Sequence, residues 1–209
     1  MAHPIIREPR WPAFVGMLAA SGIYMALPEP LSVGPGWLLP AIIAVLMIPI
    51  VISVYRRDDH ITRWLTLAGN ALITLAMIAS LFFLVQGIPQ HLETPKALLR
   101  SAIALWVTNI LVFALWYWKL DAGGPIVREM PNGMAKSAFL FPQLNCENPI
   151  HGWVPNFVDY LFVAFNTSTA FSPTDTAVIL RWAKLATMLQ SLISLTIIAL
   201  LAARAVNIL

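Results

Sequence analysis

The sequence is poor in charged residues and in cysteine, and both shortages narrow the class of protein. Charged residues make up 11% of the 209 positions and hydrophobic residues 59%. An average soluble domain has about 25% charged residues. A soluble protein with so few charges could not cover its surface, so we expect the surplus apolar surface to face lipid. The single cysteine, Cys146, excludes an internal disulfide and a metal site made of cysteines alone.

The sequence also lacks the polar patterns on which most catalysis and coupled transport depend. No acidic residue falls at the centre of an apolar stretch. Proton- and cation-coupled transporters usually need such an acid, so this class is disfavoured. The four histidines share no metal-ligand spacing, and no serine elbow, phosphate loop or paired carboxylate site is present. We therefore expect no enzymatic activity, no cofactor and no metal site.

Five apolar stretches predict five membrane-spanning helices. Each is near or above the ~20 residues that cross a bilayer, and tryptophans stand at several of their ends, as in an aromatic belt. The sequence therefore predicts an all-α, polytopic membrane helical bundle. The stretches are Trp11–Leu27, Trp37–Tyr55, Trp64–Ile88, Ala97–Trp118 and Val178–Leu209.

The chain divides into three parts: residues 1–118 with four spans, a connection at 119–156, and a C-terminal region at 157–209. Glycine and proline recur in the connection, which predicts a turn-rich loop. Phe157–Phe171 is apolar but makes a helix of only roughly 22 Å, short of the ~30 Å hydrocarbon core. It is either a re-entrant half-helix or a sixth span completed by its flanks.

A helix start is predicted at Pro173. Ser172 is placed as its N-cap, and Asp175 stands at the third helical position, an arrangement that resembles a capping box. Asp175 and Asp159 also flank the short helix. Both acids are interpreted as capping or interfacial groups, with an acidic mouth that attracts cations as the alternative.

Lysine and arginine are distributed unevenly between the two sides of the predicted bundle. With the N-terminus in the cytoplasm, eight of them lie on the inner side and two, Lys96 and Arg100, on the outer side. This bias predicts a cell-membrane protein with a cytoplasmic N-terminus and argues against a nucleic-acid partner. The inner residues are Arg7, Arg10, Arg56, Arg57, Arg63, Lys119, Arg128 and Lys136.

The C-terminal region resembles the pore helix, filter and inner helix of tetrameric cation channels. It has a short apolar helix, the hydroxyl-rich pore-like turn Thr167-Ser168-Thr169-Ala170-Phe171-Ser172, an acid and a long final helix. The whole chain is similar to a family of uncharacterised bacterial multi-pass membrane proteins of this length. The resemblance implies a channel-like protein of the bacterial inner membrane that works as a homo-oligomer.

The pore-like turn departs from a potassium filter. Ala170 and Ser172 stand where the filter glycines would be, and Pro173 favours extended backbone at Ser172. We therefore expect no potassium selectivity. The hydroxyls of Thr167, Ser168 and Thr169 either satisfy backbone groups where the helix breaks or line a permeation path.

The sequence is compatible with two alternative functions. The first is a channel-like membrane protein with weak or non-selective conduction. The second is a non-catalytic accessory or structural subunit that binds other membrane subunits. In either case the lipid bilayer is a partner, and the intramembrane Asn70, Asn109 and Gln190 are expected to form interhelical hydrogen bonds.

Overall fold

A computed structural model describes residues 8–56, 59–87, 95–130, 132–145, 153–169 and 175–206. These residues form eight α-helices and one two-stranded antiparallel sheet, with short 3-10 turns between them. The helices are α1 Trp11–Ile23, α2 Leu38–Tyr55, α3 Asp59–Gly87, α4 Pro95–Leu120, α5 Pro125–Arg128, α6 Pro142–Asn145, α7 Phe157–Thr169 and α8 Arg181–Val206; the strands are β1 Phe139–Leu140 and β2 Ala177–Val178.

Four helices, α2, α3, α4 and α8, are long and apolar enough to cross a membrane. They confirm the predicted multi-pass helical protein in its coarse form. The first predicted span is shorter than expected, because α1 has 13 residues and continues only as the 3-10 turn Tyr24–Ala26. The chain then folds back through Pro28, and the Tyr24 hydroxyl accepts a hydrogen bond from the N–H of Val33 at 2.6 Å.

The centre of the bundle is α4, which packs against α1, α3, α7 and α8. In the apolar stretch of α4, 67% of the residues are buried, whereas 22% are buried in the corresponding stretches of α2 and α8. A close contact also joins α1 to α7, because a Cβ atom on Gly16 would lie 2.7 Å from Cζ of Phe157. Glycine is therefore needed at this crossing to let the aromatic ring approach the α1 backbone.

The direction of α7 follows from two aromatic contacts with α4. Trp118, near the end of α4, lies 6.4 Å from Phe157 at the start of α7. Trp106, three turns earlier in α4, lies 6.0 Å from Phe165 in the second half of α7. The two helices are therefore antiparallel, and α7 starts at the end of the bundle where α4 finishes.

The last helix, α8, starts at the same end. Near the start of α8, Trp182 lies 6.2 Å from Phe139, which itself lies 5.1 Å from Tyr117 near the end of α4. Further along, Asn109 of α4 binds Ser194 of α8 at 2.9 Å. Because α7 and α8 are both antiparallel to α4, they run parallel to each other. The strand β2, just before α8, therefore also lies at the end where α7 starts.

The final helix starts later than predicted. It begins at Arg181, so the predicted start at Pro173 is wrong. Before it, β2 pairs with β1, and the N–H of Ile179 donates to the carbonyl of Ala138 at 2.8 Å. These bonds across the chain hold the backbone extended where local sequence favours a helix start. Asp175 is exposed and precedes β2, so it does not cap α8, and Ser172 lies outside the described residues.

The connection predicted as a turn-rich loop contains the short helices α5 and α6 and the strand β1 in its described part. Aromatic side chains pack it against α7. Phe141 lies 5.6 Å from Trp153 and 5.3 Å from Tyr160, and Phe139 lies 5.8 Å from Tyr160. The connection is therefore a packed part of the bundle at the end where α4 finishes and α7 and α8 start.

Candidate functional site

Two groups of buried polar side chains are candidates for a functional site. The first lies between α4, α7 and α8 in the interior of the bundle, and we call it the amide cluster; it consists of Asn109, Tyr117, Ser168, Gln190 and Ser194. The second lies where α4 ends, and we call it the end network; it consists of Glu8, Asp121, Arg128 and Tyr160.

Gln190 of α8 is the centre of the amide cluster. Its Nε2 donates to the carbonyl of Ala164 and to Oγ of Ser168, both at 2.7 Å. Its Oε1 accepts a hydrogen bond from the hydroxyl of Tyr117 at 2.6 Å. One fully buried side chain thus joins α8 to both α7 and α4.

The asparagines bridge helices as predicted. Nδ2 of Asn109 donates to the carbonyl of Gln190 at 3.2 Å and to Oγ of Ser194 at 2.9 Å. Nδ2 of Asn70 in α3 donates to the carbonyl of Val112 in α4 at 3.4 Å. The prediction that Asn70, Asn109 and Gln190 form interhelical hydrogen bonds is confirmed. These bonds take the place of hydrogen bonds to water, because a membrane interior supplies no water.

An ion pair lies at the centre of the end network. Nη2 of Arg128 binds Oε2 of Glu8 at 2.9 Å, and their side chains are 0% and 1% exposed. Nη1 of the same guanidinium donates to the carbonyls of Trp118 at 2.7 Å and Asp121 at 3.1 Å. The last carbonyls of a helix lack intrahelical donors, so Arg128 also satisfies the end of α4.

The fully buried carboxylate of Asp121 receives three hydrogen bonds. They come from the hydroxyl of Ser137 at 2.8 Å, the N–H of Ala138 at 2.5 Å and the hydroxyl of Tyr160 at 2.6 Å. The Tyr160 ring centroid in turn lies 5.0 Å from Cζ of Arg128, a cation–π distance. Asp121 therefore joins the end of α4, the connection and the start of α7.

Burial dominates the electrostatics of Glu8. Removal from water raises the pKa of the Glu8 carboxyl above its ordinary value, and the Arg128 guanidinium and the Trp118 indole partly lower it. The indole N–H donates to the Glu8 carboxylate, and the backbone N–H of Glu8 donates to Glu129 at 3.0 Å. A buried carboxylate with these partners holds the chain before α1 against the end of α4.

The described hydroxyls of the pore-like turn all bond within the chain. Thr167 donates to the carbonyl of Val163 at 2.8 Å, and Thr169 donates to that of Asn166 at 3.1 Å. Ser168 is fully buried and accepts from Gln190. These are the bonds expected where hydroxyls satisfy groups at a helix end. The rest of the turn, Ala170, Phe171 and Ser172, lies outside the described residues.

Asp159 forms part of the N-terminal cap of α7. Its carboxylate accepts the N–H of Asn156 at 2.7 Å, while Oδ1 of Asn156 accepts the N–H of Val158 at 2.8 Å. This reciprocal pair is the capping-box pattern, with Asn156 as the cap. The capping interpretation of Asp159 is confirmed; the acidic mouth that would also include Asp175 stays a prediction.

Sequence reasoning missed the end network. Glu8 and Arg128 are 120 positions apart, and Asp121 and Tyr160 are 39 apart, so no local spacing joins them. From the sequence, Arg128 counts only as an inner-side cation, and no pattern singles out Glu8, Asp121 or Tyr160. The available signal was weak: Glu8 lies three positions before the apolar stretch Trp11–Leu27, and Asp121 lies three positions after Ala97–Trp118.

The two clusters can stabilise helix packing and satisfy buried polar and charged groups. Nowhere in the described ranges do three or more His, Cys, Asp or Glu residues come together as a possible metal site. Comparison with protein-family models, curated proteins and solved structures found no match for this chain.

Proposed function

We propose that this chain is a non-catalytic structural or accessory subunit of a membrane assembly. The observation that supports the proposal is the internal use of polar groups in the C-terminal region. Ser168, Gln190 and Ser194 are buried and bonded to each other or to neighbouring helices. A conducting pathway needs polar groups that face permeating ions. The described groups instead fix α4, α7 and α8 in one arrangement.

A second function, a weakly selective cation pore in a homo-oligomer, is favoured by a different observation. Because α7 and α8 are parallel, α8 starts at the end of the bundle where α7 starts, a layout that is shared by a pore helix and the inner helix after it. α7 has 13 residues and a length of about 20 Å, too short to cross the hydrocarbon core. A structural subunit can use the same layout, with the short α7 packed against its longer helices.

Conductance separates the two functions. Purified protein is placed in a lipid bilayer with potassium on one side and sodium on the other. The structural proposal predicts no conductance above that of protein-free bilayers. Non-selective conductance that disappears in the Thr167→Val, Thr169→Val double variant would replace the proposal with the pore. A reversal potential near the potassium equilibrium value would contradict both, and also the expectation from Ala170 and Ser172.

Stoichiometry gives an independent test. A pore of this kind needs several copies of the chain around one axis, whereas an accessory subunit is expected as one copy among unlike chains. Mild detergent extracts can be cross-linked and the mass of the linked species measured. Cross-linked species of the chain with unlike membrane proteins support the proposal, and a ladder of masses at multiples of this chain alone contradicts it.

A further inference from the structure

A basic cleft lies where the start of α3 meets the end of α4. Its volume is about 280 Å³, and its walls are His60 and Arg63 of α3, Lys119 of α4 and residues 123–127. Two of the lining side chains are cationic and a third is the imidazole of His60, while none of the described lining residues is acidic. The described walls of the cleft thus combine a confined volume with positive charge.

The turn after α4 gives the cleft its shape. Gly123 and Gly124 have φ angles of +88° and +102°, which side chains disfavour. A Cβ atom on Gly124 would also lie 3.0 Å from the carbonyl oxygen of Lys119. The turn therefore depends on glycine and presents backbone to the cleft at these two positions, beside the basic side chains.

The exposed Arg63 is the strongest anion-binding group in the cleft. Among the described residues its guanidinium makes one hydrogen bond, a long one of 3.4 Å to the neutral carbonyl of Gly123. A guanidinium has five N–H donors in a planar fork that matches phosphate oxygens. The nearby carboxylate of Asp121 does not neutralise it, because that group is fully buried and bonded to the connection and to α7.

His60 adds a donor, and Trp64 indicates the depth of the cleft. Nε1 of Trp64 donates to Nε2 of His60 at 3.1 Å. A neutral imidazole whose Nε2 accepts a hydrogen bond has its proton on Nδ1, so Nδ1–H is a donor. Trp64 is 61% exposed and lies near the start of a long apolar helix, and indoles at such helix ends prefer the headgroup level of a bilayer.

We propose that this cleft binds the phosphate group of an anionic membrane lipid. Arg63 is the principal ligand, and His60 adds a donor. Basic pockets between helices on the cytoplasmic side are a known way to hold anionic headgroups. The location at the ends of two long apolar helices, α3 and α4, favours a lipid over a soluble phosphate. This inference is independent of whether the chain conducts ions.

The test uses the full-length protein in mild detergent with phosphatidylglycerol, phosphatidylcholine and inorganic phosphate as probes. Native mass spectrometry counts bound lipid. We expect phosphatidylglycerol to bind more tightly than phosphatidylcholine, and Arg63→Gln to weaken its binding about fivefold, the equivalent of about 1 kcal/mol for one basic group. Arg56→Gln is the matched control, since Arg56 is exposed close by but outside the cleft, and should leave binding unchanged.

Three results would overturn the proposal. They are unchanged phosphatidylglycerol binding in Arg63→Gln, an equal loss in Arg56→Gln, and displacement of the lipid by inorganic phosphate at comparable concentration. The last would assign the cleft to a soluble phosphate. If Arg63→Gln does not fold, His60→Ala replaces it, with weaker lipid binding as the expected result and unchanged binding as the contradicting one.

Discussion

The amide cluster and the end network solve the same problem, buried polar groups, in different ways. The amide cluster lies between three helices in the bundle interior and uses only neutral groups, whereas the end network holds a carboxylate–guanidinium pair and a second carboxylate. An ionised group costs most at the centre of a bilayer and less near the headgroups. The comparison teaches that, in the part of the chain that the structure describes, the buried charged side chains lie at the end of α4 and the amide cluster in the interior is neutral.

The two clusters also differ in what they join. The amide cluster connects helices that are already neighbours, through Gln190. The end network joins segments that are far apart in the sequence: Glu8 before α1, Arg128 in the connection and Tyr160 in α7. Its loss should therefore loosen several segments at once, while loss of the amide cluster should loosen only the C-terminal helices.

The largest effect is expected at Arg128. Arg128→Met leaves Glu8 buried without its cation and removes two donors from the end of α4. Breaking a buried pair at one partner typically costs about 3–5 kcal/mol. Thermal unfolding in detergent, followed by circular dichroism, should show a large loss of stability.

Two further variants sharpen this prediction. Lys136→Met removes an exposed cation from the same connection and should change stability little. Glu8→Leu combined with Arg128→Met should recover part of the loss, because no unpaired charge stays buried. If the double variant is less stable than Arg128→Met alone, the ion-pair explanation fails.

A smaller effect is expected at Gln190. Gln190→Leu removes three side-chain hydrogen bonds to α4 and α7. Hydrogen bonds between membrane helices average about 0.6 kcal/mol each, so we expect a loss of about 2 kcal/mol. Thr196→Val is the control, because the exposed Thr196 hydroxyl donates to the carbonyl of Leu192 in its own helix. Equal stability of the two variants in thermal unfolding would show that the amide cluster does not hold the helices together.

The smallest effect concerns the cap of α7. Asn156→Ala removes the acceptor for the N–H of Val158 and should cost about 1 kcal/mol. Val158→Ala, a change at an exposed side chain in the same turn, is the control. Amide hydrogen exchange in the first turn of α7 should rise in Asn156→Ala and not in Val158→Ala. Unchanged exchange in both variants would show that the capping box does not stabilise the start of α7.

The sequence predicted those parts of the fold that depend on local composition. The span predicted at Trp37–Tyr55 matches α2, because the apolar run is flanked by Trp37 and Arg56. It missed the start of α8, because pairing of β2 with β1 joins residues 139 and 178 and overrides the local signal at Pro173. The sequence also predicted that Asn109 and Gln190 form interhelical hydrogen bonds. It did not predict their partners, because those depend on how the helices pack.

The most direct test of this account is to determine on which side of the membrane the chain lies before and after α7. In a Cys146→Ser background, single cysteines replace Lys136, Asp175 or Val33. They are labelled from the outer side in intact cells and from the cytoplasmic side in inverted vesicles. The account predicts that positions 136 and 175 react from the cytoplasmic side and position 33 from the other. Labelling of position 175 together with position 33 would show that α7 crosses the membrane and would contradict the return of the chain to its starting end.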